Sequence, residues 1–153
     1  MLALLAPEAI EKRNAYGSTA LVLSCRHASL VAADSRLQVL ATVDGDLAAV
    51  EILLAARANP AGTTPDNESA LYFAAQHGFA PVVQALINDT ADPNQVSLSG
   101  MTPLHKAACN GHEAVMKILI TAKGDVNQRT PDGETALKSQ IHNLNVYHTV
   151  ALS

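Results

Sequence analysis

The sequence predicts an all-α solenoid of stacked helix-turn-helix units with projecting β-turn loops. Three observations predict it. Ser69-Ala70-Leu71, Thr102-Pro103-Leu104-His105 and Thr135-Ala136-Leu137 open segments 33 residues apart. Gly45, Gly78 and Gly111 keep the same step, as do Ala41, Ala74 and Ala107, and Leu53, Leu86, Leu119 and Leu152. Within each segment the apolar residues recur at helical steps of three and four. Self-similarity at one fixed period is the mark of a repeat array, in which each unit buries its apolar face on its neighbours.

Composition narrows the function classes. The 153 residues suit one domain. Apolar residues make up 48%, aromatic residues only 3%, and there is no Trp, so a core of Ala, Leu, Val and Ile is expected. Charged residues are 16%, below the roughly 25% usual for soluble domains, as if some surface were meant to be covered. A net charge of −4 with no basic run argues against nucleic acid and against an acidic membrane surface. No apolar stretch is long enough to span a bilayer. Met1-Leu2-Ala3-Leu4-Leu5-Ala6 lacks a positive flank and stops at Pro7 and Glu8, so it reads as a first helix or a free end rather than a signal peptide. Cys25 and Cys109 form no disulfide framework, and a reducing compartment, the cytoplasm or the nucleus, is expected.

The elements follow in chain order. Residues 1–35 form an N-terminal segment. Gly17-Ser18-Thr19-Ala20-Leu21 resembles an opening but stands half a period before Arg36, which predicts a half repeat or a capping helix. Residues 36–153 form the array, with units at 36–68, 69–101 and 102–134 and a partial unit at 135–153. In the first, Arg36-Leu37-Gln38 makes a weak opening, while Asp44-Gly45-Asp46-Leu47 and Val50-Glu51-Ile52-Leu53-Leu54 fit a second helix. In the next, Ala74-Ala75 lie on the first helix and Val82-Val83 and Leu86 on the second, with Pro81 in its first turn, where proline is tolerated. In the unit 102–134, Thr102 can cap a helix through its hydroxyl and Pro103 suits the first helical position. Leu104, Ala107 and Ala108 share a face, and Gly111 ends the helix because the chain must reverse there. Val115, Ile118 and Leu119 mark the second helix. Gly124-Asp125-Val126-Asn127 and Thr130-Pro131-Asp132-Gly133 are turn chemistry, the latter a projecting β-turn. In 135–153, Gln140 and Leu144 replace the expected Ala and Gly, and Val146, Val150 and Leu152 stay apolar. This last unit is either a shortened cap or the edge of a longer array.

Thr102-Pro103-Leu104-His105-Lys106-Ala107 resembles the ankyrin pattern T-P-L-H-x-A. Gly111-His112, Val115, Leu119, Gly124-Asp125-Val126-Asn127 and Asp132-Gly133-Glu134-Thr135 are similar to the same family, as is 69–94. The resemblance covers about three-quarters of the chain. It implies an ankyrin solenoid that recognises another protein through a concave face of loop tips and first helices. Carried over by position, that face comprises Pro65, Asp66 and Glu68; Leu98, Ser99 and Met101; Pro131, Asp132 and Glu134; Gln76 and His77; Cys109 and Asn110; and His142 and Asn143. Leu98 and Met101 stand out as apolar loop residues with no core to enter. The resemblance also makes His105 and His112 structural, and Asn127 an acceptor for asparaginyl hydroxylation. Asn127 equally suits a plain turn role, bonding its own backbone.

Chemistry-bearing alternatives are weak. His105, Cys109 and His112 lack a fourth ligand for zinc and the paired-cysteine spacing. Cys25 and His27 have no orienting third group, and residues two apart on a helix point to different sides. His77 is either a partner contact or a solvated histidine. No phosphate loop or H-E-x-x-H pattern occurs. The expectation is therefore a non-enzymatic scaffold or regulator with no catalytic residue, cofactor or metal. It would bind another protein, not nucleic acid or a membrane. It would be a monomer or would associate weakly through the terminal repeat at Val146 and Leu152. The alternative is that the chain is an ankyrin domain of a larger signalling, enzymatic or effector protein.

Overall fold

The computed structural model describes residues 47–55 and 57–141, where the 33-residue step becomes two layers of helices. In chain order these are α1 (Leu47–Ala55), α2 (Ala70–His77), α3 (Ala80–Asn88), α4 (Pro103–Cys109) and α5 (Glu113–Thr121), and residues 136–141 are also helical. The first helices form one layer, with α2 packed on α4. The second helices form the other, with α3 packed between α1 and α5. Each pair, α2 with α3 and α4 with α5, also packs within its own unit. Expectations for residues 1–46, Cys25 and His27 among them, and for His142, Asn143, Leu144, Val146, Val150 and Leu152, lie outside the described residues.

Local chemistry sets the boundaries. Ser69 and Thr102 are extended, at ψ 169° and 167°, and their hydroxyl oxygens accept the amides of Tyr72 and His105. Each satisfies one of the donors that a helix start leaves without a partner. At the other end of α2, Gly78 takes φ 77° and its N–H bonds back to the Ala74 carbonyl. Helix α4 is one residue shorter, with Asn110 as its cap and Gly111 next at φ 74°. Pro81 lies in the first turn of α3.

The second helices end without glycine. Arg57, Thr90 and Lys123 adopt φ 62°, 72° and 65°. In each case two amides fold back on the last turn, for example Thr90 N–H to Ile87 O at 3.1 Å and Ala91 N–H to Leu86 O at 3.0 Å. This is the Schellman arrangement, which favours glycine at the left-handed position. Thr90 is β-branched and is strained there. Thr90→Gly is expected to stabilise the fold by about 1 kcal/mol, seen as a rise in the urea midpoint at unchanged slope. An unchanged or lower midpoint would contradict that reading.

The core runs along the stack. Leu71, Val82, Val83, Leu86, Leu104, Val115 and Leu119 are buried, and Ala74, Ala75, Ala107 and Ala108 let the first helices approach closely. The expectation of a core made only of Ala, Leu, Val and Ile is corrected here. Tyr72 and Phe73 are both buried, in edge-to-face contact at 5.6 Å. Few aromatic residues in a chain does not mean few in the core, because the ring area rewards burial strongly. The inner repeats bury Leu104 and Ala108, at 1% and 0% exposure. At the equivalent positions one unit on, Leu137 and Ile141 are 64% and 51% exposed.

Candidate functional site

The turns build the site. Thr64–Asn67, Ser97–Gly100 and Thr130–Gly133 each close with an amide-to-carbonyl bond, at 3.0, 2.9 and 2.8 Å. Each is braced by a return bond to the residue that follows: Thr64 N–H to Glu68 O, Ser97 N–H to Met101 O and Thr130 N–H to Glu134 O, at 3.0, 3.0 and 2.9 Å. The last turn residue is left-handed in all three, with φ 59° at Asn67, 76° at Gly100 and 77° at Gly133. A β-turn followed by such a residue is a tight, twisted hairpin loop.

Neighbouring turns hold one another in two different ways. The Leu98 N–H donates to the Asp66 carbonyl at 2.8 Å, and the Asn67 amide donates to the Val96 carbonyl at 2.7 Å. At the next junction Pro131 occupies the position of Leu98 and has no N–H to give. There the proline ring sits on Gly100 instead, so close that a Cβ on Gly100 would lie 2.2 Å from the Pro131 Cδ. The three loop tips thus form one continuous ledge.

On this ledge Leu98 is 74% exposed, and Pro65, Asp66, Ser99, Pro131 and Asp132 are exposed. The Ser99 hydroxyl is bonded to that of Ser97 at 2.7 Å. Glu68 is half-buried. Glu134 is half-buried too and pairs with Lys138 at 3.4 Å. Met101 departs from expectation. It is half-buried and packs on the core, so it is not an apolar residue without a core to enter. The turn explains this. Both Met101 main-chain groups bond Ser97, which turns the residue back toward the Thr102 cap.

The first helices supply the adjoining surface. His77 is exposed and stacks on Phe79 at 5.6 Å, and Cys109 is half-buried. The Gln76 carbonyl, in the last turn of α2, accepts from the Asn110 amide at 2.7 Å and from His112 Nε2 at 3.0 Å. Asn110 therefore helps tie adjacent repeats together. His105 is structural in geometry as well as by resemblance. The Thr102 N–H can only donate, so Nδ1 at 3.3 Å is the acceptor; Nε2 then carries the proton and donates to the Glu134 carbonyl at 3.3 Å. Both ring nitrogens are engaged, which leaves none for a metal. Among the described residues no three His, Cys, Asp or Glu side chains group to hold a metal ion.

Asn127 is exposed, and its N–H donates to the Asp125 carboxylate at 2.9 Å. The local bond thus runs from the Asn127 backbone to the Asp125 side chain, not from the Asn127 side chain as expected. One repeat earlier, Asn94 goes further. Its amide donates to Lys123 O at 3.1 Å, and its Oδ1 accepts the Asp125 N–H at 2.7 Å. Two further residues belong to this surface, neither of them named by the motif offset. Lys106 lies over the Tyr72 ring at 5.4 Å, and Asn67 cross-links the first two turns. Lys106 fills the variable position of T-P-L-H-x-A, which was a usable signal.

No helix among the described residues is long and apolar enough to cross a membrane. No curated protein matches the chain. A family model described as ankyrin repeats (three copies) matches residues 37–130 and again 71–146. These matches take in most of the chain, and the capped helix pairs, the inter-repeat carbonyl bonds and the row of turns follow the same period. The chain belongs to the ankyrin-repeat family.

Proposed function

We propose that this array is a non-catalytic recognition module that binds another protein through the concave face formed by its turns and first helices. Ankyrin repeats are generally protein–protein interaction modules. The observation that carries the reading is the ledge itself: three cross-linked turns presenting Leu98, the most exposed large apolar side chain among the described residues. An exposed leucine on a rigid support is an anchor that loses little ordering entropy on docking. Asp66, Glu68, Ser99, Asp132 and Glu134 flank it along the turns. Gln76, His77, Cys109 and Asn110 extend the face along the helices. Met101 contributes mainly by holding the turn against the core.

Affinity capture from a lysate of the source cells tests this with the parent chain and Leu98→Arg. The Leu98 side chain is exposed and only its N–H is used in the stack, so the variant should keep its helicity and melting temperature. A protein retained by the parent and lost by the folded variant is the expected result. Equal retention by both, or none by either, would overturn the assignment of this face.

A further inference from the structure

Resting on that reading, we infer that the ledge takes an extended peptide segment in which an apolar side chain lies two positions from a lysine or arginine. Two observations give this chemistry. The first is Leu98, whose side chain is 74% exposed although its backbone is pinned. The second is the charge around it. The first turn carries Asp66 and Glu68, and no Lys or Arg occurs between Ala58 and Lys106. Neither carboxylate has an ion-pair partner among the described residues, whereas Glu134 in the third turn is paired with Lys138. Leu98 therefore stands between exposed carboxylates on both neighbouring turns, Asp66 on the first and Asp132 on the third, neither with an ion-pair partner among the described residues.

Geometry sets the spacing. The Asp66 and Leu98 backbones touch through a 2.8 Å hydrogen bond, so their side chains project from adjacent tips of one surface. An extended strand advances about 3.3 Å per residue and its side chains alternate between two faces, so residues two apart share a face. A ligand side chain resting on Leu98 then places the residue two positions away over Asp66. An ammonium or guanidinium there meets the acid. A lysine or arginine also lays its aliphatic stem along the leucine. An acidic segment would meet like charge at the same place.

The test is panning of a random peptide library displayed on phage against the full chain. The winning peptide is then synthesised and its binding followed by fluorescence anisotropy. Enriched peptides should carry Leu, Ile, Met or Phe two positions from Lys or Arg. Leu98→Ser should weaken the synthesised peptide by about tenfold. Asp66→Asn should weaken it severalfold and flatten the salt dependence. Asp66→Asn leaves the fold intact, because Asp66 holds Leu98 through its backbone carbonyl and not through its carboxylate. Peptides that need Leu98 but are indifferent to Asp66→Asn would overturn the basic-apolar pattern and leave the recognition face standing. Enrichment of acidic peptides, or no enrichment, would overturn this inference, while the capture experiment alone decides the broader reading.

Discussion

Leu86→Asp is expected to unfold the whole array. Leu86 is fully buried on α3, the second helix that packs against both α1 and α5. The change removes a buried side chain worth roughly 2–5 kcal/mol and leaves a carboxylate with no partner in an apolar site. A small domain has only about 5–15 kcal/mol of stability in total. The loss does not stay local, because each repeat is stable only against its neighbours. Ala74→Asp, at the close approach of the first helices, should act in the same way. Gln84→Glu is the control: it lies on the same helix, exposed and bonded only to Asn88. Far-UV circular dichroism melts should show Leu86→Asp largely unfolded at room temperature and Gln84→Glu close to the parent. A cooperative melt of Leu86→Asp at the parent temperature would show that the stack is not held at this point.

Gly100→Ala should cost far more than Gly133→Ala, although the two glycines have φ 76° and 77° and end equivalent turns. Both substitutions place a Cβ on a left-handed residue, at about 1–2 kcal/mol. Around Gly133 no heavy atom of the described residues, its chain neighbours aside, lies within 4 Å of the new Cβ, so its cost ends there. At Gly100 the Cβ would strike the Pro131 ring at 2.2 Å, and a rigid ring gives way only by moving its turn. Overpacking adds roughly 1–3 kcal/mol more. Urea denaturation should separate the two variants by that margin. Pro131→Ala in the Gly100→Ala background should recover most of it, since the alanine vacates the space and restores an N–H toward the preceding turn. Equal costs at Gly100 and Gly133 would mean that the ledge is not continuous at this junction.

The period was enough to read the fold. Thr102, Pro103, Gly78 and Gly111 act through backbone geometry that any chain must obey at those points, so their roles are visible without neighbours. The same holds for the turn ending at Gly133. The candidate face was legible as a set of positions, because a fixed offset from the motif names the loop tips. Leu98 remains exposed as that offset implies.

Which of those positions are free to meet a partner was not legible. Met101 and Leu98 are both apolar, three residues apart in one turn, yet one packs on the core and the other stands in solvent. Hydrophobicity does not distinguish them; the return bonds to Ser97 do. Asn110 appears as a surface residue in sequence and serves as an inter-repeat tie in space, because its partner carbonyl on Gln76 is 34 residues away. Tyr72 and Phe73 entered a core that composition assigned to aliphatic residues. Repetition by itself determined the helices, their caps and the order of the stack, since these depend on contacts within a few residues. The tertiary structure alone decided which surface groups are already used and which are left for binding, since that depends on bonds between repeats a full period apart.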